Sequence, residues 1–225
     1  DWLEWGYNRD GLDLPQVNLG LVLSLHRHLP LYFKLFPGSI NDVVTLKNLV
    51  AEVKAFGITK SLFILDRGFY SENNIKEMSR EKIDFIIPLP FSVNIGKGLV
   101  SETNADIENP ANAKRFGGDI FYVLESNVQI GGVNAYGYVL FNKKREGLET
   151  NSFYNRLIDI EIALNGKEFR NPIGQFKQTA GNFERYFECI VEGKTIHLRR
   201  RINAISQAAN RFGKTILLSA TKRSW

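Results

Sequence analysis

The acid that closes the stretch SLFILD, Asp66, is the side chain in this sequence best placed to do chemistry. Leu62, Phe63, Ile64 and Leu65 before it show no polar alternation, the pattern of a strand buried on both faces in a sheet that carries helices. Asp66 then falls at the carboxyl end of that strand. Open α/β sheets present ligand-binding and catalytic groups there, because the strand fixes the backbone while the following loop leaves room for a substrate. A carboxylate held in that way suits a hard divalent cation. The plainer role for a single Asp after an apolar strand is to cap a turn or a helix. Arg67 beside it could meet a phosphate or pair with a carboxylate.

Other candidates are weaker. Asp10 and Asp13 lie upstream, but an Asp-Gly turn explains Asp10. Glu161 sits near Tyr154 and Arg156 in a helical pattern and reads as a solvated face. His26 and His28 fall at a hairpin tip with His197 far off in sequence and no carboxylate at metal spacing, so they read as an exposed turn. Asn41 and Asp42 suit a helix N-cap. Three basic runs, Lys143 with Lys144 and Arg145, Arg199 with Arg200 and Arg201, and Lys222 with Arg223, could follow a nucleic-acid backbone, where each neutralised phosphate steepens the salt dependence. They could equally be solvated surface. Tyr136, Tyr138 and Phe141 alternate with small residues as ordinary sheet packing does. No phosphate loop of the GxxxxGKS type occurs.

The elements that must position these groups follow from period and punctuation. Residues 16–25 alternate and then become continuously apolar, residues 31–36 form a second strand, and together they predict a hairpin. Val43, Leu46, Leu49, Val50 and Val53 share one face of a helix over residues 43–56, with Glu52 on the other face and Gly57 as its stop. Ser71 caps a helix over residues 72–80 that turns Ile75 and Met78 inward. Residues 84–89 form the next strand. The order hairpin, helix, strand, helix, strand predicts one mixed sheet, antiparallel first and parallel later. From residue 91 to 118 the chain is broken by Asn, Gly and Pro and reads as linker with room for a short helix. Residues 119–125, 128–131 and 135–142 read as antiparallel strands turning at Gly131 and Gly132. Residues 151–164 read as a helix burying Phe153, Leu157, Ile160 and Leu164. A hairpin over residues 183–191 and 195–198, a short helix over 202–210 and a strand over 215–219 complete the chain.

A chain of 225 residues, 44% hydrophobic and 24% charged, can bury a sizeable core and is not disordered. The net charge of +5 and pI near 9.2 lean toward polyanionic partners without requiring them. A lone Cys189 excludes a disulfide framework or a cysteine-based zinc site within the chain. No apolar run approaches the roughly 20 residues of a membrane span, and no secretory signal opens the chain, so a cytoplasmic location is expected. The opening DWLEWGYN lacks an initiator methionine and the closing ATKRSW marks no end of a fold. Both ends are therefore expected to be cuts in a longer polypeptide.

The stretches GYNRDGLDLPQVNLGLVLS, LPLYFKLFPGSINDVVTLKNLV, FILDRGFYSENNI and FIIPLP, in that order, resemble bacterial insertion-sequence transposases of the DDE class. In the group they resemble, a ribonuclease-H-like catalytic core is interrupted by a β-rich insertion domain. The resemblance is dense over residues 6–90 and looser afterwards, through GYVLFNKKRE and RFGKTILLS. It implies an α/β fold with a mixed ribonuclease-H-like sheet, incomplete here, and an α+β insertion: residues 1–90 as partial core, 91–211 as insertion and 212–225 as the strand returning to the core.

The same resemblance implies hydrolysis at a transposon end, followed by attack of the freed 3′-hydroxyl on target DNA, with carboxylates holding Mg²⁺ or Mn²⁺. Asp66 matches the family's second acid. Arg67, Lys143, Lys144, Arg145, Arg199, Arg200 and Arg201 become candidate contacts to double-stranded DNA, with a homodimer pairing two ends and a nucleoid-associated location. The family's first acid would precede Asp1, and its third, a Glu in a Tyr, Arg, Glu, Lys signature, would lie beyond Trp225. With one acid of three, the segment is expected to be inactive alone. A metal-dependent nuclease on the same core and a non-catalytic DNA-binding remnant are the alternatives.

Overall fold

The computed structural model describes residues 3–5, 15, 17–24, 27–37, 46, 52, 55, 57 and 62–224. The expected positions of Asp10, Asp13, His26, Asn41 and Asp42 lie outside them. The chain divides into two compact units: residues 1–90, 126–137 and 217–225 form the first, and residues 91–125 and 138–216 the second.

In the first unit, β1 (Val17–Ser24) pairs antiparallel with β2 (Leu29–Pro37), giving the expected hairpin, with an irregularity between Val22 and Leu23. Leu19 lies opposite Leu35 and Leu21 opposite Phe33. All four are exposed. Tyr32 and Lys34, whose parity puts them on the other face, both reach the carboxylate of Glu52, which these two bonds hold below the usual carboxylate range. Leu46, Glu52 and Ala55 are helical and Leu46 is buried; the rest of the helix read over residues 43–56 lies outside the described residues.

β3 (Leu62–Ile64) runs parallel to β4 (Asp84–Pro88), with Leu62 beside Asp84 and Ile64 beside Ile86. The helix between them, α1 (Glu72–Arg80), begins at Ser71, whose Oγ accepts the Asn74 N–H at 3.0 Å. Ile75 and Met78 are buried on its inner face, as read from their spacing, and Phe85 and Ile87 of β4 are buried as well.

Two expectations need correction. β3 is not buried on both faces: Leu62 is 41% and Ile64 57% exposed. An unbroken apolar run identifies a strand but not the number of its neighbours, and β3 ends its sheet, with β4 as its one partner among the described residues. The hairpin does not join that sheet either; β1 and β2 pair only with each other among the described residues. Hydrophobic alternation marks strands, while strand pairing is a non-local choice that it does not encode.

The mixed sheet itself is present. β5 (Ala113–Phe116), β6 (Asp119–Ile130), β7 (Val133–Phe141) and β11 (Lys214–Ser219) complete six strands in the order β3, β4, β11, β7, β6, β5, with β11 antiparallel to β4. The β6 to β7 turn falls on Gly131 and Gly132, at φ 55° and 87°, a region that favours glycine. The two strands expected over residues 119–131 are one strand of 12 residues.

The second unit holds more helix than its punctuation suggests. The expected linker contains α2 (Asn94–Thr103), with Leu99 and Val100 buried. Gly96 and Gly98 inside it lower its intrinsic helix propensity, which hid it. α3 (Lys143–Leu164) starts eight residues earlier than expected because Asn142 caps it, its side chain accepting the Arg145 N–H at 2.7 Å. Phe153, Leu157, Ile160 and Leu164 are all buried, matching the predicted face.

Beyond α3 come β8 (Lys167–Glu168), α4 (Pro172–Ala180), β9 (Phe187–Glu192), β10 (Thr195–Arg200) and α5 (Ile202–Ala209). β10 pairs with β8 and β9, and the expected β9 to β10 turn carries Gly193 at φ 62°. Residues 183–186, expected as strand, form part of a 3₁₀ turn instead. Phe176, Tyr186, Phe187, Ile196 and Ile205 close on the inner face of α3 to make this unit's core. Among the described residues, no helix is long and apolar enough to cross a membrane.

Candidate active site

The candidate site is the turn that joins β3 to α1. β3's pairing continues past its last residue, the Leu65 N–H donating to the Ile86 carbonyl at 3.0 Å. Asp66 then leaves the strand in extended conformation, at φ −76° and ψ 159°, and caps a single 3₁₀ turn over Arg67–Phe69. Its Oδ1 accepts the Arg67 N–H at 2.5 Å, and its carbonyl accepts the Phe69 N–H at 3.1 Å. The Tyr70 N–H donates to the Arg67 carbonyl at 3.1 Å. The capping role that sequence alone allows is therefore real.

It does not use up the carboxylate. Asp66 is exposed, and no cation lies within ion-pair distance of it among the described residues. An exposed carboxylate carried by a hydrogen-bonded strand end has the donor chemistry that Mg²⁺ or Mn²⁺ takes. Arg67 is exposed beside it.

Nearby groups differ in kind. Tyr70 is half-buried and its hydroxyl has no hydrogen-bond partner among the described residues; burial, with a smaller effect of the Glu72 charge, pushes its pKa up. Asp84 sits at the opposite end of β4 from the Asp66 turn, because the two strands are parallel. Its carboxylate takes Arg223 at 2.5 Å and the Thr221 hydroxyl at 3.1 Å. Asp84 and Arg223 thus brace the strand. Among the described residues, no group of three His, Cys, Asp or Glu side chains is close enough to hold a metal ion.

The basic runs, all but Lys222 and Arg223 in the second unit, are only partly available. Lys143, in the first turn of α3, donates to Glu108 at 2.7 Å, and that bond holds its pKa up. Lys144 lies 3.8 Å from Asp119 and is well exposed. Arg145 bonds the Thr215 hydroxyl at 3.0 Å and lies 3.3 Å from Glu149. Arg200 is turned inward: its guanidinium forks onto both oxygens of Glu161 at 2.7 and 2.6 Å, a half-buried bidentate pair that strengthens its hold on its proton.

Glu161 is thus a partner inside the second unit rather than a solvated face. The period-2 pattern of β10 carries the missed signal, since Ile196, Leu198 and Arg200 share the inner face while Arg199 points outward. Arg199 lies 3.8 Å from Glu188 and is exposed, and Arg201 is exposed as well. His28 is exposed in the β1 to β2 turn and His197 is half-exposed 3.8 Å from Glu192. Neither joins a ligand cluster among the described residues.

A family model for the transposase DDE domain matches residues 1–156. No curated protein and no solved structure matches the chain. The matched stretch contains the Asp66 turn, both hairpin strands and the β3, α1, β4 crossover, and it covers more than half of the sequence. The mixed α/β fold agrees with a ribonuclease-H-like DDE core, and the chain belongs to the transposase DDE domain family.

Proposed function

We propose that Asp66 is one of the carboxylates that hold the divalent ions of a DNA cleavage and strand-transfer site. In this account the protein carrying the chain cuts transposon-end DNA and joins the freed 3′-hydroxyl to target DNA. Membership of the family sets the general class, an enzyme acting on DNA in transposition. The observation that supports the residue assignment is the exposed carboxylate at the carboxyl end of β3, fixed through its backbone and paired with no cation among the described residues.

Mg²⁺ or Mn²⁺ ions, when bound, activate the attacking oxygen and steady the leaving one. Asp66 would hold them through the oxygen edge that faces solvent. Such a site needs more oxygen donors than one carboxylate supplies. Asp66 would share the ions with further acids of the protein that carries this chain. Arg67 lies beside the carboxylate and would steady the backbone of the strand being cut. Lys144, Arg199 and Arg201 are the exposed cations best suited to duplex phosphates, with Lys143 and Arg145 contributing from α3. Arg200 serves by holding β10 to α3. A homodimer on DNA would bring two transposon ends together.

Asp66→Ala in the full-length protein tests the assignment. Mg²⁺-dependent nicking of end-bearing DNA is expected to fall by about a thousandfold or more, while affinity for that DNA changes by less than about twofold. Retained nicking would refute the role of Asp66. The coding frame gives a second test: it is expected to carry an acid on a strand shortly before Asp1 and a Glu on a helix after Trp225. Flanks lacking both would defeat the strand-transfer assignment, and cleavage without joining would make the enzyme a nuclease on the same core.

A further inference from the structure

Resting on the assignment of Asp66 above, we propose that Asn74 is a positioning residue for the metal site, locking the turn that carries the carboxylate. Asn74 is 7% exposed, one of few buried polar side chains among the described residues. It lies on the first turn of α1, a place where an exposed polar residue would serve the helix equally well. Its burial therefore calls for a partner, because an unpaired amide away from water costs about 1 to 3 kcal/mol.

The partner lies across the turn. Asn74 Nδ2 donates to the Phe69 carbonyl at 2.8 Å. The Phe69 N–H in turn donates to the Asp66 carbonyl at 3.1 Å. From the other side, the Asn74 N–H is held by Ser71 Oγ at 3.0 Å. A continuous path thus runs from the packed face of α1, through one side-chain amide and one peptide, to the backbone of Asp66.

Apart from the Leu65 strand bond and the half-buried Phe69 and Tyr70, the turn has little else to hold it. Asp66, Arg67 and Gly68 are exposed, and the 3₁₀ segment contains no buried residue. Two short-range backbone bonds, Phe69 to Asp66 and Tyr70 to Arg67, close it, and such bonds in water are individually weak. A ligand for a divalent ion must be held to within about half an ångström to be useful. The Asn74 amide is the one buried side-chain group among the described residues that ties this turn to the folded interior.

The chemistry separates this role from helix capping. Ser71 caps α1, and Asn74 receives that cap through its backbone, which any residue would provide. Only the side chain of Asn74 faces back to the turn. Asn74→Leu keeps the branched shape and does not weaken the helix, Leu being the better helix former, but deletes the amide, and Asn74→His restores an N–H donor at a similar reach.

Backbone ¹⁵N order parameters of the full-length protein provide a direct readout. In Asn74→Leu, residues 66–70 are expected to drop from the rigid range near 0.85 to below about 0.6, while residues 75–80 stay rigid. Asn74→His should recover most of the order. In the full-length protein, Asn74→Leu should raise the Mg²⁺ concentration for half-maximal nicking by about tenfold at unchanged DNA affinity. Unchanged order over residues 66–70 would overturn the proposal. Loosening shared equally by residues 75–80 would overturn it too, by making Asn74 a brace of the helix. The Asp66→Ala result stands apart: if that variant still nicks, the metal assignment falls, while the order parameters still report what Asn74 holds.

Discussion

The turn after β3 and the basic surface of the second unit hold their charges in opposite ways. Asp66 is fixed by its backbone, through Phe69 and Leu65, and among the described residues its carboxylate meets a single peptide N–H. Lys143, Arg145 and Arg200 are fixed through their charged ends, by Glu108, Glu149 and Glu161. Of these, Arg200 braces two elements in a half-buried pair and is no longer offered to a ligand, whereas the pairs of Lys143 and Arg145 are exposed and leave those cations partly available. A charge held from behind keeps its ligand-facing edge. On that criterion the proposal assigns ligand contact to Asp66, Arg199 and Arg201, which are exposed, and a bracing part to Arg200 and Asp84.

The sharpest challenge to this contrast is Arg200→Ala. It strands the Glu161 carboxylate, and because both groups are about a third exposed or less the expected loss is about 1 to 2 kcal/mol, between the exposed and buried limits. Urea midpoints of the single variants and of the double variant with Glu161→Ala measure it. The double variant should lose less than the sum of the singles.

A smaller difference separates the same neighbours in DNA binding. Arg201→Ala is expected to reduce the slope of log affinity against log salt by about one, and Arg200→Ala to leave it unchanged. Equal slopes for the two variants would erase the distinction between offered and bracing cations.

The smallest effect belongs to Tyr70, whose buried hydroxyl has no partner among the described residues. Tyr70→Phe should be neutral or stabilising by up to about 1 kcal/mol near pH 7. The sign with pH follows from burial. Because the folded-state pKa is raised, the contribution of Tyr70 is fully present below its unfolded value near 10 and is lost as pH rises through the folded value. The variant's advantage should therefore grow in the alkaline range, and thermal unfolding on both sides of that range reads it out.

Much of this arrangement is written locally. The Ser71 cap, the inward Ile75 and Met78, the Gly131 and Gly132 turn and the buried stripe on α3 each follow from spacing or turn chemistry within a few residues, and each is found. Asp66 at a strand end is legible for the same reason. What the sequence conceals is non-local. Nothing near Leu62 reveals that β3 has a single neighbour among the described residues, and nothing near Arg200 reveals that Glu161, far off in sequence, will meet it. Glycines concealed α2. The missed α4 had a usable signal, the Asn171 and Pro172 pair, since an Asn cap followed by Pro in the first turn is a common helix start. Asn74 was legible as a member of the first helical turn but not as the link back to Phe69, because a buried polar group on a helix face carries no mark of its partner.

Ligand exchange at residue 66 tests the central claim most directly. In the full-length protein, Asp66→Cys replaces a hard oxygen donor with a soft sulfur, which Mg²⁺ accepts poorly and Mn²⁺ tolerates better. Nicking of end-bearing DNA by Asp66→Cys is expected to be lost in Mg²⁺ and substantially regained in Mn²⁺, with DNA affinity unchanged. High and equal activity of the variant in the two ions would contradict direct contact between this side chain and the metal.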